Sequence, residues 1–186
     1  MNKKHIISMA GDLASGKGTV SKIISEELNY GIYKNGEYFR QLAKEMNMDV
    51  TSFNIYVKDH PEIDRKIENS ATEYAQKNDN FIIDARLGWY AVPESYKVYL
   101  KVETEVAAER AFNDVNRKST EAFSTVEEQE EDLIRRFALE NERYFSLYGV
   151  HKEDMSNYDL VVDTTKLTPD EVARIIIENY NKWLEN

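Results

Sequence analysis

The segment Gly11-Asp12-Leu13-Ala14-Ser15-Gly16-Lys17-Gly18-Thr19 constrains this chain more than any other. It directly follows the apolar run Ile6-Ile7-Ser8-Met9-Ala10 and precedes a pattern in which Val20, Ile23, Ile24 and Leu28 fall on one side of a helix. A strand, a glycine-bounded loop and a helix in that order make a tight turn. Its backbone N–H groups point inward at a helix N-terminus, where partial positive charge favours an anion. The spacing G-x-x-x-x-G-K adds Lys17, long enough to reach the β and γ phosphates of a nucleotide. The segment therefore reads as a nucleotide-binding phosphate loop: Gly11, Ala14, Ser15, Gly16, Lys17, Gly18 and Thr19 hold ATP phosphates, and Thr19 meets Mg2+ directly or through water. Gly18 stands where many such loops carry Ser or Thr. Asp12 puts a carboxylate into a loop meant for an anion, so the site requires that side chain to point away, to solvent.

The remaining pattern alternates strands with helices. Strands are expected at His5–Ala10, Gly31–Tyr33, Phe81–Ile83, Lys97–Val102 and Leu160–Asp163. The wholly apolar Phe81-Ile82-Ile83 is what a strand buried on both faces shows. Helices are expected over Lys17–Asn29, from Glu37 to Met46 after a break at Asn35-Gly36, near Thr51–Val57 and over Pro61–Lys77, with Asp59 as a cap. Further helices follow over Glu103–Asp114, Val126–Tyr148 and from Thr168-Pro169-Asp170-Glu171 to the end. Such alternation implies an α/β fold with a largely parallel sheet, whose ligands lie beyond the C-terminal strand ends. At 186 residues the chain suits a single domain. Its core would be 1–34, 79–112 and 126–186, with a helical insertion at 35–78 and a polar lid at 113–125.

Charge limits the ligands. With 24 Lys and Arg against 34 Asp and Glu, the formal net charge is −10, and the overall field repels nucleic acid and anionic membranes. A polyphosphate must then be met by a local cluster of cations. There is no Cys, which excludes disulfides and thiolate metal sites. The apolar stretch after Met1-Asn2-Lys3-Lys4-His5 is too short for a signal sequence or a membrane span, and a soluble cytoplasmic protein is expected.

Phosphoryl transfer needs two substrates in line and cations to meet the spreading charge. Arg40, in Gly36-Glu37-Tyr38-Phe39-Arg40, is a candidate for the acceptor, with Gly36 giving close approach and Phe39 an aromatic face. Asp84 and Arg86 follow the buried strand, one suited to Mg2+ and the other to a phosphate. Arg136, Glu140 and Arg143, at i, i+4 and i+7, share one face of the long helix, so two cations flank one carboxylate. Arg110 and Arg117 bracket the start of the lid and would act on closure. His5, His60 and His151 lack metal-ligand spacing, and Glu127 to Asp132 reads as an exposed acidic first turn.

Several segments together resemble the short, archaeal-type cytidylate kinases of the nucleoside monophosphate kinase family. They are Ser15-Gly16-Lys17-Gly18-Thr19, Gly36-Glu37-Tyr38-Phe39-Arg40-Gln41-Leu42-Ala43-Lys44, Pro61-Glu62-Ile63-Asp64-Arg65-Lys66-Ile67, Asp84-Ala85-Arg86-Leu87-Gly88-Trp89, Ala108-Glu109-Arg110, and Glu142-Arg143-Tyr144-Phe145-Ser146-Leu147-Tyr148-Gly149. The resemblance implies a three-layer P-loop kinase with a five-stranded parallel sheet, an acceptor-binding insertion and a small lid. It implies transfer from ATP to CMP or dCMP with Mg2+, by a protein that acts on small molecules as a monomer. It puts Arg40, Arg86, Arg136 and Arg143 around the acceptor phosphate, Glu140 near the acceptor sugar, and Arg110 and Arg117 on the lid side. Two departures stand out: Asp12-Leu13-Ala14 where relatives commonly have Gly and Pro, and Asp84-Ala85-Arg86 for Glu-Gly-Arg. Another small-molecule P-loop kinase, or an ATP-binding regulator without turnover, are the alternatives.

Overall fold

The computed structural model describes residues 4–48, 52–53, 56–57, 59–114 and 123–185. Arg117 and most of the expected lid lie outside these. Five strands, β1 (Ile6–Gly11), β2 (Gly31–Lys34), β3 (Phe81–Asp84), β4 (Tyr96–Lys101) and β5 (Leu160–Asp163), form one sheet in the order β2-β3-β1-β4-β5, all parallel. The helices are α1 (Lys17–Leu28), α2 (Asn35–Glu45), α3 (Pro61–Lys77), the short α4 (Gly88–Ala91), α5 (Thr104–Asn113), α6 (Val126–Tyr148) and α7 (Pro169–Glu185). The expected α/β class, strand set and parallel sheet are all present.

Strand β1 is central and buried along all six residues, so its two faces seed two apolar layers. Ile7 and Met9 pack with Val20 and Ile24 of α1 and with Val172, Ile176 and Tyr180 of α7. Ile6 faces the other way, against Phe81, Ile83 and the small Ala71 and Ala75 of α3. Burying a side chain of this size stabilises by about 1.5–3 kcal/mol, so this alternation pins the register of β1. The insertion carries a core of its own, Leu42, Ala43, Phe53, Val57 and Ile67.

Local chemistry sets both ends of α6 and the start of α7. Thr125 caps α6 by accepting from the Glu128 N–H, and Gly149 ends it at φ 67°. Thr168 and Glu171 cap each other at the start of α7. Two boundaries differ from expectation. Asn35-Gly36 does not break the chain: α2 begins at Asn35 directly after β2, because Asn35 is buried and its side chain bonds Glu68 of α3. His60, stacked on Tyr56 at 3.7 Å, precedes α3 in place of Asp59, and no side chain caps that helix. The acidic start of α6 is also not wholly solvated, since Gln129 and Asp132 turn inward.

Candidate active site

The loop between β1 and α1 opens a cleft of about 570 Å³ at the C-terminal edge of the sheet. Its floor is the loop itself, from Ala14 to Thr19, and its walls include Arg86, Arg110, Asp114, Leu167 and Pro169. Two glycines set the loop's path. A Cβ on Gly11 would lie 2.7 Å from the Leu100 carbonyl oxygen and 2.9 Å from Ser15 Oγ, so only glycine lets the loop cross β4 there. Gly16, at φ 84°, turns the chain into α1 as its N-cap. Ala14 is left-handed as well, at φ 58°. That costs about 1 kcal/mol for a residue with a Cβ, offset by burial of Leu13 against Ala107, Ala111 and Leu133.

Asp12 points away from the phosphate position, but not to solvent. Its Oδ1 accepts from the Tyr99 hydroxyl at 2.6 Å and its Oδ2 from the Val102 N–H at 3.0 Å. The carboxylate is thus spent on tying the loop to the end of β4, and only backbone donors remain for the anion. Thr164, just past β5, braces the other side, with Oγ1 within hydrogen-bond reach of the Ser15 carbonyl (3.1 Å) and the Lys101 carbonyl (2.9 Å). Arg110 donates to the Thr164 carbonyl at 2.7 Å. It is therefore a fixed wall of this cleft on α5 rather than a side chain waiting on a lid.

Lys17 forms an ion pair with Asp84, which stands beside Met9 at the end of β3. Burial, and then the Arg86 guanidinium, push the Lys17 ammonium below the ordinary lysine range. Arg86 Nε donates to Glu140 Oε2 at 2.9 Å, and Lys152 Nζ donates to the same oxygen at 2.7 Å. Burial opposes the Glu140 charge, but Arg86 and Lys152 outweigh it and hold the carboxyl at about 2. Lys152 is 1% exposed and also lies over the Phe137 ring at 4.4 Å.

The row on α6 does not act as one anion cradle. Arg136 pairs with Asp132 at 3.7 Å, Glu140 with Arg86 and Lys152, and Arg143 faces Asp64 of α3 at 3.7 Å while donating to the Tyr144 hydroxyl. Glu140 is the anchor of Arg86 here, which differs from a carboxylate held open for a sugar. On α2, Arg40 is exposed and curls over Gly36, where an added Cβ would sit 3.6 Å from its Nη1. Phe39 packs edge-on against Phe53 inside the insertion, 4.7 Å between ring centroids, instead of offering an open face.

The structure therefore gathers the phosphate loop, Lys17, Asp84, Arg86 and Arg110 at one edge. Glu140 pairs with Arg86, while Arg143 turns to Asp64, Arg136 to Asp132, and Arg40 lies exposed on α2. Sequence reasoning missed Lys152, Thr164, Asp64, Glu68 and Asn35. Asp64 and Glu68 left a sign: both fall on the apolar stripe of α3 with Ile67 and Ala71, where carboxylates are out of place. A second depression, lined by Glu103, Glu105, Glu130 and Asp163, is acidic and unsuited to a polyphosphate.

No group of three or more His, Cys, Asp or Glu side chains among the described residues could hold a metal by itself. Mg2+ keeps several waters and takes one or two carboxylates plus substrate phosphates. Asp84 beside Lys17, with Thr19 in the wall of the same cleft, fits that sparse demand.

Residues 7–145 match the protein family described as AAA domain. A cytidylate kinase of Thermoplasma volcanium is 34% identical over 95% of this chain and 91% of its own. One from Pyrococcus horikoshii is 35% identical over 93% of this chain and 86% of its own. Among solved structures, a shikimate kinase from Bacteroides thetaiotaomicron superposes with a TM-score of 0.66 at 14% identity, covering 98% of this chain and 99% of that one.

Proposed function

The chain belongs to the cytidylate kinase family, and from that premise we propose that it transfers the γ-phosphoryl group of ATP to CMP or dCMP. Arg86 is the observation that supports this reading best. It lines the cleft of the phosphate loop and is bonded to Glu140, next to the insertion side chains, so one guanidinium stands between a donor half and an acceptor half.

ATP lies with its phosphates on the backbone N–H groups of residues 14–19, and its base lies toward Leu167 and Pro169. Lys17 exchanges Asp84 for the β and γ phosphates, and a new anion raises its depressed ammonium back toward full charge. Asp84 and Thr19 would hold Mg2+, which when bound would neutralise phosphate charge. Arg86, kept in place by Glu140 and Lys152, meets the oxygens of the group in transfer, and preorganised cations of this kind act without reorganisation cost at the moment of reaction. Arg40 and Arg136 approach the acceptor phosphate, Arg143 the acceptor nucleoside, and Arg110 and Arg117 the donor. The insertion 35–78 holds the acceptor, and 113–125 closes over ATP. The protein works as a cytoplasmic monomer on small molecules, without nucleic acid. Among the described residues no helix is long and apolar enough to cross a membrane.

The test is a coupled ADP-release assay over CMP, dCMP, UMP, AMP and GMP, with shikimate and gluconate as controls. CMP and dCMP should give the highest kcat/KM. Failure of every nucleotide in the panel to give ADP release would overturn the proposal.

A further inference from the structure

On the acceptor side, several polar atoms are buried and lack a hydrogen-bond partner. They are Asp64 Oδ2 on α3, Asn35 Oδ1 on α2, and Arg143 Nε and the Tyr148 hydroxyl on α6. They share one neighbourhood. Arg143 Nε lies 3.7 Å from Asp64 Oδ2, an ion pair too long for a hydrogen bond. Asn35 Nδ2 donates to Glu68 Oε2 at 3.1 Å. Asp64, Glu68 and Arg143 all act electrostatically on Tyr148. Asp64 is 2% exposed and Glu68 7%. Leaving one such group unsatisfied costs about 1–3 kcal/mol, more when it is charged. Four together therefore point to a ligand that satisfies them.

The set defines the ligand's edge. The Asp64 and Asn35 oxygens accept, Arg143 Nε donates, and the phenol does either. Burial, and then repulsion from Asp64, push Glu68 up to about 7, so this carboxyl keeps a proton at little cost near neutrality and can donate. A matching ligand presents N–H donors beside acceptor atoms along one edge. The cytosine ring does so, with its 4-amino group next to N3 and O2. Uracil puts a carbonyl oxygen in place of the amine, which would face a buried carboxylate.

We propose that Asp64 and Glu68 read the base of the acceptor, Asp64 accepting from the 4-amino group and Glu68 and Arg143 donating to N3 and O2. The cluster thereby selects cytosine over uracil. This rests on the nucleotide-kinase reading above and assigns a specificity role to side chains that would otherwise only tie α3 to α6.

The experiment measures kcat/KM at saturating ATP for CMP, for UMP, and for the monophosphate of the 2-pyrimidinone riboside, which is cytidine without its amine. A site that hydrogen-bonds a substrate N–H discriminates strongly against analogues lacking it, so the wild type should favour CMP over both by about 100-fold or more. Asp64→Asn, whose amide can donate to the uracil O4, should lower kcat/KM for CMP about 100-fold and leave UMP within about threefold. Glu68→Gln should shift the ratio the same way by a smaller factor. Equal losses on CMP and UMP in Asp64→Asn, or a wild type indifferent to the missing amine, would overturn the inference while CMP turnover keeps the kinase reading. A wild type that phosphorylates no pyrimidine nucleotide overturns both. The analogue series uses wild-type protein alone, so a misfolded variant does not leave the question open.

Discussion

The two halves of the proposed site are built on different principles. The donor half is made of backbone: one loop of consecutive residues, with glycines at Gly11 and Gly16 that set its path and a single lysine. The acceptor half is made of side chains drawn from α2, α3, β3, α6 and the segment after Gly149, with Glu140, Lys152, Arg86, Arg143 and Asp64 in contact across as many as 79 positions, as Asp64 and Arg143 are. A backbone site survives many substitutions outside its loop, since each residue supplies an N–H whatever its side chain. A side-chain site fails when one charge loses its partner.

That contrast can be broken or sharpened in order of expected effect. Lys17→Ala should cost the most, a fall in kcat of about 10³-fold with little change in melting temperature, since preorganised cations act chiefly on the transition state. Retained turnover would remove the phosphate loop from the mechanism. Glu140→Ala strikes the other half and should act on the fold: Arg86 and Lys152 would be buried without their carboxylate, costing about 3–5 kcal/mol and lowering the melting temperature by roughly 10 °C. An unchanged melt would show that the network contributes nothing to stability.

The third prediction concerns pH. Glu68 titrates near 4.5 when unfolded and about 7 when folded, so the stability that its neutral form contributes is full below 4.5 and lost as pH rises through 7. The difference amounts to about 3 kcal/mol. Wild-type protein should therefore melt progressively lower relative to Glu68→Gln between pH 5 and pH 8.5, by roughly 6–10 °C in all. Parallel curves for the two proteins would contradict a raised Glu68.

Arg40→Ala should raise the KM for the acceptor about tenfold and leave that for ATP within twofold, as expected for one lost surface cation contact. Arg86→Ala, because Arg86 lines the donor cleft as well, should raise both. Asp12→Ala comes last. The loop loses its tie to Tyr99 and Val102 but keeps its amides, so the KM for ATP should rise only a few-fold, in line with about 1 kcal/mol for one such tie.

The fold was largely legible. Strong periodicity marked β1, α1, α3, α6 and α7, and the glycine-bounded loop marked the sheet edge where the cleft opens, because strand, glycine and helix signals there are local. Reading failed where distant groups compete for the same residue. Asn35 reads as a breaker, yet Glu68 draws it into the first turn of α2. Asp12 reads as an intruder, yet Tyr99 turns it to use. The i, i+4, i+7 row on α6 reads as a single cradle, yet its members are claimed separately: Arg136 by Asp132 of the same helix, Glu140 by Arg86 and Lys152, and Arg143 by Asp64 of α3. Lys152 left no sign at all: a lysine three residues past a helix-ending glycine looks solvated, and only the packing over Phe137 and Glu140 buries it.

By itself the sequence determined the parallel sheet and the edge at which a glycine-bounded loop opens a cleft, because turn geometry and apolar alternation act over a few neighbouring residues. The tertiary structure decided which charges pair, which stay buried and unsatisfied, and hence which face of an acceptor can be read. Those outcomes depend on the distance between groups that only folding brings together, and on the loss of water between them.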